Sequence, residues 1–260
     1  MSKQTQYYKG IVRNVISGNS IIVQFLPEYN IPYKVISFEY LTAPRLGTPD
    51  GKLQDEPFGF ESWDYLRNLC IGKGVVVSSR MHTLEKQYNS LFGVLNIAFA
   101  KVLFNDEDLG LKACRAGMVK LRESNQMSQE NPYVAKLREA QEQAQNEKLG
   151  IWSDEQGTIR PLPVNIIDER LLSTREFDAI VDNVINGSVL SLFLLPNHEH
   201  ILLQIAGCRA ANFNKKDGDK STPGYKAYQT IRQKFLNQQI RVRICQRQDK
   251  NQVAIQKTFI

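Results

Sequence analysis

The chain has 260 residues, 42% hydrophobic and 23% charged, which allows one large core or two small ones. No apolar run approaches the ~18 residues that a membrane-spanning helix needs. The opening MSKQTQYYKG lacks a signal peptide's apolar region, and the four cysteines (Cys70, Cys114, Cys208, Cys245) are widely spaced and form no C-x-x-C pair. The thiols read as free, core-filling groups of a reducing compartment, the cytoplasm first and the nucleus also open. The net charge of +6 is uneven: residues 201–260 hold 12 Lys or Arg against 3 Asp, a net of +9, leaving −3 on the first 200. Such asymmetry points to a polyanion partner for the C-terminal part.

Residues 8–16, 20–26 and 33–41 alternate or run apolar and predict three strands, joined by turns at 17–19 and 27–30. The stretch 11–27, IVRNVISGNSIIVQFLP, returns 169 positions later as IVDNVINGSVLSLFLLP with eight of seventeen residues identical. Roughly one match is expected by chance, so the chain reads as a tandem repeat of a domain-sized unit. A Gly-, Pro- and Asp-containing loop follows at 43–57. A helix after Pro57 is marked by Phe60, Trp63, Leu66 and Leu69 at spacings of three, and it stops near Gly72. Strands are predicted at 74–81 and 91–99, with 83–90 as a polar connection. Asp106, Glu107 and Asp108 open a short helix at its positive end and so read as dipole partners rather than metal ligands. Residues 118–121 read as a short extended piece. In the longest helix Asn131 caps, Pro132 sits in the first turn, and Val134, Leu137, Ala140, Gln141 and Ala144 share a face. Gly150 ends it, and Ile151-Trp152 fold back.

The second copy repeats the order. Its strands are 177–185, 189–195 and 200–206, followed by a Lys-rich loop at 214–221. A helix enters at Thr222-Pro223 with Tyr225, Tyr228, Ile231 and Phe235, and strands follow at 240–245 and 253–260. The expected fold is a β-rich α+β protein: tandem five-stranded barrels of the OB type with appended helices, the second copy lacking its C-terminal helices. The expected domains are 1–153 and 175–260 with a linker at 154–174, and the chain reads as a fragment of a longer protein.

The segments GIVRNVISGNSIIV, DEPFGFESWDYLR, NPYVAKLREAQEQAQNEKLGIWSDEQGTIR and NGSVLSLFLLP resemble staphylococcal-nuclease-like domains, specifically the first two tandem repeats of the Tudor staphylococcal nuclease family. The resemblance implies further repeats and a Tudor domain beyond this chain. It also implies RNA binding, RNA degradation, silencing complexes and transcriptional coactivation, with protein partners in ribonucleoprotein complexes.

The family's chemistry, as the resemblance implies it, holds Ca²⁺ with carboxylates, activates water with a Glu and clamps the phosphate with two Arg. Matched position by position, Asn19 stands for the first metal-binding Asp and Thr42 for the second. Arg45 stands for the Glu, and Ser37 and Ser90 stand for the two Arg. In the second copy Ser188, Gln204, Arg209 and Asn212 stand for Asp, Arg, Asp and Glu. All of these depart from the pattern, so no catalytic residue and no cofactor is expected. Ca²⁺ enters only if a nuclease takes ligands from elsewhere, such as Asp50, Asp55 or Glu56.

Other motifs are sparse. His198-Glu199-His200 lacks a third ligand and reads as a polar turn, His82 is isolated, and Asn186-Gly187-Ser188 is a hairpin turn despite matching a glycosylation sequon. No G-x-S-x-G, H-E-x-x-H, Walker or G-x-G-x-x-G motif occurs. The candidate RNA-binding set is Lys215, Lys216 and Lys220 on one loop, Arg241 and Arg243 on one strand face, then Arg247 and Lys250. Phe213 and Tyr225 could stack on bases but read first as core. Three functions follow in order: an RNA-binding module with degenerate nuclease sites, a Ca²⁺-dependent ribonuclease, and a protein-interaction scaffold. No membrane and no small-molecule cofactor are expected.

Overall fold

The computed structural model of the chain describes residues 7–31, 33–48, 52–78, 82–90, 93–122, 131–160, 176–212, 221–249 and 252–256. At 82–86, 89–90, 244–249 and 252–256 it describes the backbone alone. Two compact units divide the chain, the first taking Met1–Thr48 and Leu53–Ile159 and the second Pro49–Lys52 and Arg160–Ile260.

In the first unit, β1 (Tyr7–Ser17) turns at Gly18-Asn19 into β2 (Ser20–Phe25), which pairs antiparallel with β3 (Lys34–Phe38). After β4 (Leu41–Thr42) comes α1 (Gly59–Cys70), then β5 (Gly74–Ser78) beside β1, β6 (His82–Ser90), and β7 (Gly93–Ala100) parallel to β3. The 83–90 segment is thus a strand rather than a connection: its polar side chains hid a backbone that pairs along β7. Two short strands, β8 (Val102–Phe104) and β9 (Glu107–Asp108), lead into α2 (Leu109–Arg115), and β10 (Lys120–Leu121) pairs with β4. Asn105 and Asp106 take left-handed turn conformations (φ 49° and 63°), so α2 starts later than the acidic run suggests, and Asp108 caps it by accepting from Leu111 N. In α3 (Pro132–Asn146), Asn131 Oδ1 accepts from Tyr133 N at 2.9 Å, and Val134, Leu137, Ala140 and Ala144 are buried.

The second unit holds β11 (Glu176–Val184), β12 (Val189–Leu194), β13 (Glu199–Ile205), α4 (Pro223–Phe235), β14 (Gln239–Asp249) and β15 (Gln252–Gln256). They close a barrel in the order β11-β12-β13-β15-β14, with β13 and β15 parallel. One long strand, β14, pairs with both β11 and β15. In the first unit the same two roles fall to consecutive strands, β5 beside β1 and β6 beside β7, so the strand path is the same.

The repeat goes deeper than the hairpin. Both opening strands shift register at the same place, between Val12 and Asn14 and between Val181 and Asn183. Val12 N donates to Lys73 O and receives at its own O from Gly72 N, and Val181 makes the same pair of bonds with Gln238 O and Asn237 N. Alternation puts Val12, Ile21, Val23, Ile36 and Phe38 inside the first unit and Val181, Leu192, Leu194, Ile201 and Leu203 inside the second, all buried. Each such side chain contributes about 1.5–3 kcal/mol. The turn glycines match for a steric reason: a Cβ on Gly18 would meet Ser62 Oγ of α1 at 1.7 Å, and one on Gly187 would meet Ala227 Cβ of α4 at 2.6 Å.

Segment 154–159 packs on the first unit: Thr158 N donates to Glu61 Oε1 at 2.7 Å, and Gly157 lies against Phe58. Residues 161–174 of the expected linker lie outside the described residues.

Candidate nucleic-acid interface

The β1–β2 turn and the ends of β3 and β4 gather a small polar pocket. Its centre is Asn19, 8% exposed, whose Nδ2 donates to Leu41 O at 3.0 Å and lies 3.5 Å from Ser37 Oγ. Its Oδ1 accepts from Ser17 Oγ at 2.9 Å, and Ser20 Oγ and Ser37 Oγ are 2.8 Å apart. The Asn19 backbone carbonyl accepts from Phe38 N, which pins the turn to β3. Thr42 follows Leu41 and pairs with Lys120. The hydrogen bonds within this pocket run between neutral groups.

Arg45 stands on the following loop, about half exposed. Its Nη1 lies 3.3 Å from Glu56 Oε1, and its backbone N donates to Glu56 Oε2 at 2.8 Å. Buried Asp55 accepts from Gly47 N at 2.6 Å. Asp55 and Glu56 therefore clasp the two ends of the loop. Asp50 lies outside the described residues. Ser90 does not join the pocket: it pairs with Gly93 at the hairpin end of β6. His82, the first residue of that strand, is the one in register with Phe99 of β7, itself the partner of Ser37. Ser90 is level with Gly93, six residues along β7 from Phe99, which puts it roughly 20 Å from Ser37's level.

The residues present do not fit Ca²⁺. That ion takes six to eight oxygens, with carboxylates prominent among them. Here the pocket offers an amide and hydroxyls already bonded to one another. Among the described residues no group of three His, Cys, Asp or Glu could hold a metal ion.

The second unit builds its turn differently. Asn186 Oδ1 accepts from Ser188 N (2.8 Å), Val189 N (2.9 Å) and Ser188 Oγ (3.2 Å), which is a side-chain-closed hairpin turn. Ser188, 4% exposed, also accepts from Ala210 N at Oγ and from Ile205 N at its carbonyl, the counterpart of the Asn19–Phe38 bond. Gln204 Nε2 donates to Cys208 O at 2.7 Å, while Arg209 and Asn212 are exposed. His198 sits in a left-handed turn, and His200 Nε2 lies 2.7 Å from Ser191 Oγ and 3.7 Å from Asp182 Oδ2, so the two imidazoles do not form a chelating pair.

Of the basic set, Arg241 and Arg243 lie exposed on β14, each facing an acid across the sheet. Arg241 Nε is 3.4 Å from Asp178 Oδ1, and Arg243 Nη2 is 2.7 Å from Glu176 Oε1. Half-exposed pairs of this kind hold about 0–1 kcal/mol, little enough for a phosphate to displace them. Lys215, Lys216, Lys220, Lys250 and Phe213 lie outside the described residues, as does the side chain of Arg247. Tyr225 packs against the second core, and its hydroxyl accepts from Gln229 Nε2.

Sequence reasoning missed Arg122. It follows β10, its backbone N donates to Tyr40 O, and its Nη2 reaches Leu41 O at 3.4 Å, the same carbonyl that Asn19 bonds. Its guanidinium carbon sits 4.8 Å from the centre of the Phe99 ring. No local pattern signals this, because Arg122 and Leu41 are 81 residues apart.

Residues 36–154 match the family described as staphylococcal nuclease homologue. "Ribonuclease TUDOR 2" of Arabidopsis thaliana is 30% identical over 232 residues, covering 82% of this chain and 22% of that protein. "Staphylococcal nuclease domain-containing protein 1" of Drosophila melanogaster is 28% identical over 228 residues (83% and 23%), and that of Schizosaccharomyces pombe 27% over 218 (79% and 23%). The chain thus spans less than a quarter of the length of these relatives. With the duplicated strand-and-helix path behind the match, the chain belongs to the Tudor staphylococcal nuclease family of staphylococcal nuclease homologues.

Proposed function

We propose that the chain is an RNA-binding module whose nuclease pockets are degenerate, and that it works beside protein partners in ribonucleoprotein complexes. The observation that carries this reading is the Asn19–Ser37–Leu41 network: built of an amide, hydroxyls and a backbone carbonyl without a carboxylate, it stands where the family resemblance places a Ca²⁺ site. The basic excess of residues 201–260 supplies the attraction. Lys215, Lys216, Lys220, Arg241, Arg243, Arg247 and Lys250 neutralise phosphates without reading bases, so the binding carries little sequence preference.

The test is fluorescence anisotropy of a labelled single-stranded RNA. Affinity is expected to fall by at least tenfold between about 50 and 200 mM salt and to be unchanged by EDTA. An Arg241→Ala/Arg243→Ala double variant is expected to bind more weakly and with a shallower salt slope. Affinity indifferent to salt contradicts the reading.

A Ca²⁺-dependent ribonuclease is the second reading, favoured by the name that the Arabidopsis relative carries. It needs ligands other than Asp55 and Glu56, which already hold the 45–56 loop.

A further inference from the structure

We propose that Arg122, backed by Phe99, is a phosphodiester-binding residue of the first unit, presenting its guanidinium to single-stranded RNA at the rim of the Asn19–Ser37 pocket. This rests on the RNA-binding reading above and assigns it a contact outside the basic segment.

Three observations carry it. First, the side chain is placed rather than loose. Pairing of β10 with β4 fixes the backbone up to Leu121, whose N also donates to Gln141 Oε1, and Arg122 N continues the ladder to Tyr40 O. The bond from Nη2 to Leu41 O then holds the head beside the pocket. Second, most of its donors remain without an acceptor among the described residues. A guanidinium has five N–H groups in a fork that matches phosphate oxygens, and the Leu41 carbonyl takes one of them. Third, no carboxylate among the described residues pairs with its charge. Arg45, Arg67, Arg241 and Arg243 each face a carboxylate, whereas exposed Arg122 has none among the described residues.

Phe99 decides the class of ligand. Its ring centre lies 4.8 Å from the guanidinium carbon of an exposed side chain, and the proposed ligand takes the opposite face. An unpaired base can lie on that face while its phosphate meets the fork, an arrangement that serves single strands regardless of sequence. Ser37, the register partner of Phe99, is committed to Ser20 and Asn19, so the positive charge at this rim comes from Arg122.

The experiment titrates a fluorescein-labelled oligouridylate with the full chain and its variants at several KCl concentrations. Arg122→Ala is expected to weaken binding about fivefold to tenfold and to lower the salt slope by about 0.7, one single-strand phosphate contact. Arg122→Lys is expected to restore the slope, which separates lost charge from lost fold. Phe99→Leu is expected to weaken binding with the slope intact. If the wild type binds and Arg122→Ala matches it in affinity and slope, this inference alone is overturned. If the wild type does not bind at about 50 mM salt, the RNA-binding reading falls and this one with it.

Discussion

Asn19 uses both halves of its amide inside the fold, the NH₂ on Leu41 O and the oxygen on Ser17 Oγ. Asn19→Ala therefore leaves buried partners unsatisfied, and a loss of about 1–2 kcal/mol is expected in urea melts. A wild-type-like midpoint would mean that the network holds nothing together. The thiols give a second residue-scale test. Burial pushes Cys70 up to about 12 and Cys114 up to about 11 from an ordinary 9.0, while Cys208 is exposed. Both buried thiols stay protonated in the folded chain after those of the unfolded chain have ionised. The unfolded state thus releases protons first, and stability falls as pH rises from about 9 towards 12. Urea midpoints at pH 8 and pH 11 check the sign, and a higher midpoint at pH 11 contradicts it. Peptide mapping after brief alkylation at neutral pH is expected to find Cys208 modified and Cys70 and Cys114 intact.

At the scale of elements, the order of the second copy was legible in the sequence but residue identity matched only in the hairpin, and the structure explains the gap. The hairpins match at an offset of 169 residues, but α1 and α4 match at 165, because the intervening connection is shorter in the second copy. At that offset Gly59, Trp63, Leu66 and Arg67 fall on Gly224, Tyr228, Ile231 and Arg232. Arg67 lies 5.7 Å from the Trp63 ring and Arg232 5.4 Å from Tyr228, both buried in the last helical turn. The Phe60–Trp63–Leu66 stripe was legible from its spacing. Its continuation was not, because the apolar residue buried in the last turn is Cys70 rather than Leu69. Strand β6 escaped because polar side chains carry no period-2 signal. The matched turn glycines yield a prediction for both copies. Gly18→Ala drives a methyl into Ser62 Oγ, which donates to Met118 O, and Gly187→Ala drives one into Ala227. Each is expected to cost about 1–3 kcal/mol in thermal or urea unfolding. Unchanged stability in either would contradict the close approach of hairpin and helix.

At the scale of the whole molecule, fold class, tandem order and the basic C-terminal part could be read from residues alone, because hydrophobic period, turn chemistry and charge are local. The pocket could be read only as a set of substitutions. Its wiring depends on β3, β4 and β10 meeting, and Arg122 enters it across 81 residues. The structure is a pair of nuclease-type units, of which the first has a pocket without carboxylates and loop carboxylates bonded to backbone, and on these the proposed RNA-binding reading rests. The most direct measurement is a denaturing gel of end-labelled single-stranded RNA incubated with the purified chain in Ca²⁺ and in EDTA. The account predicts intact RNA in both lanes. Cleavage in Ca²⁺ that EDTA abolishes would contradict it, and would require carboxylate ligands outside the Asn19–Ser37 pocket.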